Sequence, residues 1–333
     1  MTIGATIRVE EKTLRLTNGW SASVVTGITG ATIATAPGTA AAPALPDADD
    51  WRSLLEALTA NPADLPGYET LKYSDKGEVF RARFTWSRNH GPDGGGGELE
   101  VVCKQSRARR NHGLDWGGWR RRLLAAWRAS RERVNFDRGL ALLRAGIATA
   151  LPLAVVEHRA PRRRAWLITQ FVPDAVDLDQ VALALLPRLE PERQRHVKDA
   201  IIRALVDLID RMTKRGIGHR DLKASNILLT HWDSREEPAY AWLVDLEGLR
   251  LRGVFGARRW QPLIRLAASL RCYSSVTRTD FCRFLRDYLA RTGRGRDERR
   301  RLLLGLSEET TAYLRKAQRR KTGKLDGYNG SSS

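Results

Sequence analysis

Between residues 218 and 229 the chain reads Gly-His-Arg-Asp-Leu-Lys-Ala-Ser-Asn-Ile-Leu-Leu. A histidine, an arginine, an aspartate, a lysine and an asparagine fall within nine residues, and the chain then runs straight into aliphatics. A surface helix would space such groups three or four apart on one face, and a solvated loop would not continue into Ile227-Leu228-Leu229. The pattern describes a polar loop that feeds directly into a buried strand, so the fold must be one that holds such a loop in place. Leu243-Val244-Asp245-Leu246-Glu247-Gly248 has the same character: an apolar strand end, an acid, and a glycine three residues later to turn the chain.

With 333 residues there is enough chain for one large domain or two smaller ones, and 42% hydrophobic content excludes a disordered protein. No apolar run is long enough to cross a bilayer, and the N-terminus has no basic start followed by an apolar stretch, so a secretory signal is not expected. Cys103, Cys272 and Cys282 are odd in number and lack paired spacing, which argues against a disulfide framework or a zinc site and points to a reducing cytoplasm. The formal charge of +19 predicts an anionic partner: nucleic acid, a phosphorylated lipid or an acidic membrane surface. The basic stretch RKAQRRKTGK lacks the interleaved aromatics that would stack on bases, so nucleic acid is not the expected partner.

Residues 1–50 read as a weakly structured extension, rich in Ala, Thr, Gly and Pro from residue 21, although VVTGITGATIAT has the composition of a short strand. Order is expected from Trp51, with a short helix WRSLLEAL. YETLKYS and VFRARFTW then form a hairpin, with Phe80, Ala82, Phe84 and Trp86 alternating against Arg81, Arg83 and Thr85. ELEVVCK, PLAVVEHRA and AWLITQFV bring the total to five strands, with a largely helical stretch from Arg107 to Leu143 before the last two. From residue 173 the pattern is mainly helical. The stretch from Pro191 to Gly216 carries Val197, Ile201, Leu205, Leu208 and Met212 on one face, and NILLT and YAWLVDL are short strands. The expected class is α+β, with a five-stranded antiparallel lobe over residues 51–172 and a mostly helical lobe over 173–333.

The order His219-Arg220-Asp221-Leu222-Lys223-Ala224-Ser225-Asn226 resembles the catalytic loop of protein-kinase-like enzymes. Phosphoryl transfer needs a positioned hydroxyl, held phosphates and neutralised charge. The resemblance implies that Asp221 orients the acceptor hydroxyl and takes its proton, that Lys223 reaches the transferred phosphate, and that Asn226 and Asp245 bind Mg²⁺. His219 and Arg220 are expected to support the loop. Upstream, Val101-Val102-Cys103-Lys104 resembles the strand whose lysine holds the nucleotide phosphates, with Glu132 as the expected partner acid and Asp137 as its rival. The turn Ser74-Asp75-Lys76-Gly77-Glu78 stands where a phosphate-covering loop belongs, and its single glycine, Gly77, departs from the kinase pattern; Lys76 or backbone amides would compensate. GPDGGGG at 91–97 is a flexible connector. Gln170, Phe171 and Val172 occupy the position of the hinge that pairs with the adenine edge, so the implied cofactors are ATP and Mg²⁺.

Over residues 65–290 the chain resembles the lipopolysaccharide core kinases, which phosphorylate heptose or Kdo sugars. HRDLKASNILL, VDLEGLRL and QPLIRLAASLRCYSSVTRTDFCRFLRDYL carry the likeness, loosely at Arg265-Leu266-Ala267. The resemblance implies a cytoplasmic enzyme at the inner membrane surface with an anionic glycolipid acceptor. The chain has no Ala-Pro-Glu after Asp245 to close a peptide platform, which sets it apart from ordinary protein kinases. An atypical Ser/Thr protein kinase without a full activation segment is the alternative, and a catalytically weak binding module the third. DWGGWRRRLLAAWRASR, with Trp116, Trp119, Leu123 and Trp127 at helical spacing among arginines, is the candidate membrane contact, against the reading in which these tryptophans pack on the N-terminal lobe.

Overall fold

The computed structural model describes residues 8–29, 45–74, 77–86, 97–106, 129–158, 164–251 and 261–291, with isolated helical positions between 297 and 315. The turn residues Asp75 and Lys76, the glycine-rich connector at 91–96, most of the tryptophan-arginine segment and the basic C-terminal stretch lie outside the described residues. The chain divides into two compact units, Met1–Pro173 and Asp174–Ser333.

The first unit is built on an antiparallel sheet of seven strands rather than the five expected from the sequence. In chain order these are β1 (Arg8–Arg15), β2 (Trp20–Thr29), β3 (Glu69–Ser74), β4 (Gly77–Trp86), β5 (Gly97–Ser106), β6 (Pro152–His158) and β7 (Ala165–Gln170), arranged β1-β2-β6-β7-β5-β4-β3. The two additional strands come from the N-terminal segment: β1 pairs with β2 and β2 with β6, so that Val24 lies opposite Ala154 and Trp20 opposite His158. Helix α1 (Ala48–Ala60) explains why this segment folds. It buries Trp51, Leu55 and Leu58 completely in the same core as Val24 and Val25 of β2. The indole N–H of Trp51 donates to the Val25 carbonyl at 3.0 Å, which satisfies the one polar atom that burial would strand. Asp47 caps α1 by accepting from the Asp49 and Asp50 amides. The alternation expected in β4 is observed: Phe80, Ala82, Phe84 and Trp86 are buried, and Arg83 and Thr85 exposed.

In the second unit the long helix α3 (Pro191–Lys214) follows α2 (Arg131–Arg144) of the first. It buries the whole predicted face, from Val197 to Met212, and ends at Gly216 with φ +67°. Three short strands form one sheet in the order β11-β10-β8, where β8 is Val176–Asp177, β10 is Ile227–Thr230 and β11 is Tyr240–Leu243. A two-stranded ladder joins β9 (Gly218–His219) to β12 (Leu249–Arg250). Helices α4 (Gln261–Leu270) and α5 (Arg278–Arg291) follow among the described residues. The start of α5 is a reciprocal capping box. Thr277 Oγ1 accepts from the Asp280 amide at 3.3 Å, and the Asp280 carboxylate accepts from the Thr277 amide at 2.9 Å. The same carboxylate receives Lys198 Nζ from α3 at 3.0 Å, with both side chains only 12% exposed.

Candidate active site

The polar loop of the second unit is shaped by two backbone ladders. Ile227 pairs with Leu243 in the β10–β11 ladder, and one step further the Val244 amide donates to the Asn226 carbonyl at 2.9 Å. Asn226 and Asp245, nineteen positions apart in sequence, are thereby set side by side by main-chain geometry alone. Across the loop His219 pairs with Leu249, and the Arg220 amide donates to the Gly248 carbonyl at 2.8 Å. These ladders bring the backbone that carries Asp221, Lys223, Asn226 and Asp245 together, and the Asn226 amide donates to the Lys223 carbonyl at 3.0 Å.

His219 is the hub of this arrangement and is 1% exposed. Its Nδ1 accepts the Asp221 amide at 3.3 Å, so the ring is the Nε2-protonated tautomer, and Nε2–H donates to the Asp245 carbonyl at 3.1 Å. Asp245 has φ +56° and ψ 68°, a left-handed conformation that costs a non-glycine residue about 1–2 kcal/mol. The histidine bond holds it there, and the turn throws the Asp245 side chain off the end of β11 to an exposed position. Gly248 is needed for a different reason than turning. Its φ lies outside the left-handed region, but a Cβ there would stand 2.9 Å from His219 Cε1 and 3.1 Å from the Asp221 nitrogen. Close approach, rather than backbone freedom, selects glycine at this position.

The Asn226 side chain is 4% exposed, and its Nδ2 donates to the Asp221 carbonyl at 3.0 Å. That commits the side-chain nitrogen to the loop and leaves the amide oxygen, a hard donor, as the atom of Asn226 that could hold a cation. Asp221 is half exposed. Its Oδ1 accepts Arg265 Nη1 at 3.0 Å, and its Oδ2 lies 3.9 Å from Lys223 Nζ. Arg265 was not foreseen as a functional residue. It lies on α4 one helical turn before Ser269, whose Oγ accepts the Ala224 amide of the loop at 3.0 Å.

The candidate nucleotide residues belong to the first unit. Lys104 is on β5, opposite Val79 of β4 and Leu167 of β7, and is half-buried. Helix α2 packs on β5, β6 and β7. Glu132, in its first turn, is 5% exposed, whereas Asp137 is exposed and ion-paired with Arg133 at 3.2 Å. Gly77 opens β4 with φ +151°, a conformation open to glycine, and pairs with Ser106 at the end of β5. The segment after β7 is tied down at both residues that leave the strand: the Gln170 amide donates to the Leu151 carbonyl and the Phe171 amide to the Glu100 carbonyl, each at 2.8 Å. The Arg81 guanidinium stacks 4.0 Å above the Phe171 ring while it pairs with Glu100. Val172 follows, half-buried.

Residues 106–288 match the model of the lipopolysaccharide kinase (Kdo/WaaP) family. A solved structure of WaaP in complex with acyl carrier protein shares the fold, with a TM-score of 0.51 and 21% identity, over 83% of this chain and 99% of that one. No curated protein sequence matches.

Proposed function

The chain belongs to the lipopolysaccharide kinase (Kdo/WaaP) family, and from that premise we propose that it transfers the γ-phosphate of ATP to a Kdo or heptose hydroxyl of the lipopolysaccharide core, at the cytoplasmic face of the inner membrane. The observation that carries this reading is the cluster of Asp221, Lys223, Asn226 and Asp245, locked together by the β10–β11 and β9–β12 ladders. Asp221 accepts the proton of the sugar hydroxyl as that oxygen bonds to the γ-phosphorus. The bond from the γ-phosphorus to its bridging oxygen breaks, leaving ADP and a phosphomonoester. Lys223 lies close enough to the Asp221 carboxylate to place its ammonium on the transferred phosphate, where it offsets the charge that accumulates in the transition state.

The donor set fits Mg²⁺: one carboxylate, Asp245, and one amide oxygen, Asn226, both hard ligands on adjacent backbone. An ion held there would supply charge neutralisation to the nucleotide phosphates. In the first unit we assign the nucleotide phosphates to Lys104 and to the backbone at Gly77, and the adenine edge to the main chain of Gln170 and Val172. Glu132 is the acid assigned to orient Lys104. A carboxylate buried to that degree needs a cationic or hydrogen-bonding partner, and Asp137 already has one in Arg133. The net charge of +19 supports an anionic glycolipid acceptor and peripheral contact with an anionic membrane. Among the described residues no helix is long and apolar enough to cross a membrane.

Acyl carrier protein is a second proposed partner. An apolar cavity of about 400 Å³ lies between α3, α4 and α5, lined by Ile201, Leu205, Leu266, Leu270 and Phe281 with Lys198 and Arg271 among its polar groups. Its size and chemistry suit a fatty-acyl chain.

The decisive experiment offers labelled Mg-ATP with dephosphorylated core lipopolysaccharide and a generic basic protein side by side, with Asp221→Ala as the comparison. Label in the glycolipid that falls to a small residual rate in the variant supports the reading. Label only in protein replaces it with an atypical protein kinase, and label in neither overturns the kinase assignment of this site.

A further inference from the structure

Asp221 presents a problem of its own. Its side chain is 51% exposed on a loop, where a carboxylate rotates freely, yet proton acceptance requires one oxygen held on the line of the incoming hydroxyl. The restraint comes from α4. This helix buries Leu263, Ile264, Leu266, Ala268 and Leu270, and it packs against the turn Ala224–Asn226. Two polar side chains on α4, one helical turn apart, reach the loop. Arg265 Nη1 donates to Asp221 Oδ1 at 3.0 Å, and Ser269 Oγ accepts the Ala224 amide at 3.0 Å while donating its own proton to the Leu266 carbonyl at 2.8 Å. Ser269 ties the loop backbone to the helix, and Arg265 holds the carboxylate.

We propose that Arg265 is the positioning residue for phosphoryl transfer: by holding Asp221 Oδ1 it leaves Oδ2 as the oxygen that receives the acceptor proton. The proposal rests on the reading of Asp221 as the base. Lys223 is a poor alternative for this task, because its ammonium lies 3.9 Å from Oδ2, beyond hydrogen-bonding distance, and is assigned to the phosphate. Arg265 is 28% exposed, so a stem packed on the helix delivers a charged head at the loop. The contact to Oδ1 runs from Nη1, a single donor that a lysine ammonium can replace in part.

The test compares Arg265→Met, which keeps the apolar stem, with Arg265→Lys, in single-turnover and steady-state transfer to core lipopolysaccharide. Arg265→Met is expected to lower kcat about 10- to 100-fold with KM for ATP and the thermal midpoint little changed, and Arg265→Lys to recover most of that loss. In an Asp221→Ala background Arg265→Met should have no further effect, because the arginine acts through the carboxylate. A wild-type kcat in Arg265→Met overturns the proposal. So does a further loss in the Asp221→Ala background, which would place Arg265 on the acceptor itself. Full activity of Asp221→Ala alone would instead remove the base assignment, a failure of the underlying reading that this comparison separates from the first.

Discussion

Gly248→Ala tests whether the site is a wedge of touching backbones or a loose loop. The added methyl carbon would meet His219 Cε1 at 2.9 Å and the Asp221 nitrogen at 3.1 Å, where ordinary contact begins at 3.4 Å. The imidazole must therefore retreat by about 0.5 Å, and the Asp221 backbone by about 0.3 Å, to restore van der Waals separation. The Asp221 amide already sits 3.3 Å from Nδ1, near the limit of a hydrogen bond, so that movement breaks it. Overpacking of this kind costs about 1–3 kcal/mol. In a unit of this size that corresponds to a fall in thermal midpoint of about 2–10 °C. A misplacement of 1 Å at a reacting group costs on the order of 100-fold in rate, so a shift of about half that distance should lower kcat about 10-fold. The assay pairs thermal unfolding with transfer to core lipopolysaccharide. Gly146→Ala serves as the control: Gly146 has φ +69° and nothing within 4 Å of its would-be Cβ, so it should lose about 1–2 kcal/mol from backbone strain alone and keep its turnover. If Gly248→Ala has wild-type kcat and wild-type melting, the His219 wedge does not exist. If it melts like the control and turns over normally, the wedge is real but not coupled to chemistry.

Three further outcomes follow from the same geometry. Asp245→Asn keeps a residue that tolerates the left-handed conformation but removes the carboxylate, so folding should be unchanged while transfer falls about 100-fold or more; a modest loss would remove Asp245 from the proposed metal site. Asp280→Ala breaks the capping box and strands Lys198, which is 12% exposed, and should destabilise the second unit by about 3–5 kcal/mol in denaturant unfolding; a loss under about 1 kcal/mol would mean that the pair is solvated. In native protein a thiol reagent should modify Cys272 and Cys282 at once and Cys103 only on unfolding. Burial pushes the Cys103 thiol far above its ordinary value, and rapid reaction of all three would show that the β5 core opens readily.

The elements that could be read from sequence are those whose own residues encode their burial. β4 alternates strictly, α3 repeats its apolar residues at helical spacing and ends at a glycine, and β10 and β11 are short, mainly apolar runs. β1 and β2 escaped because their reasons lie elsewhere in the chain. β1 is a sheet edge with only Leu14 buried, so it shows no alternation. β2 is built from Trp, Ser, Ala, Val, Thr, Gly and Ile, and its burial is imposed by α1 and by pairing with β6. The choice between Glu132 and Asp137 was open for a similar reason: two acids five positions apart on a helix lie on different faces, and only packing against the sheet says which face is buried.

The site divides along the same line. Asp221, Lys223, Asn226 and Asp245 could be singled out as candidates from sequence because the proposed reaction, phosphoryl transfer, constrains residue type and spacing within two short stretches. Arg265 and Ser269 were not, because a single arginine and a single serine on an amphipathic helix look like any solvated or packed pair. Their meaning comes from the contact between α4 and the turn at Ala224–Asn226. A motif can specify the groups that touch substrate, but a half-exposed carboxylate has no defined direction until something outside the motif holds it. The short ladders fix the backbone of Asp221, and α4 fixes its side chain. On the proposed reading the loop is not competent in isolation: transplanting residues 218–229 without the helix that carries Arg265 and Ser269 would transfer the motif and leave the proposed base, Asp221, without its contact to Arg265.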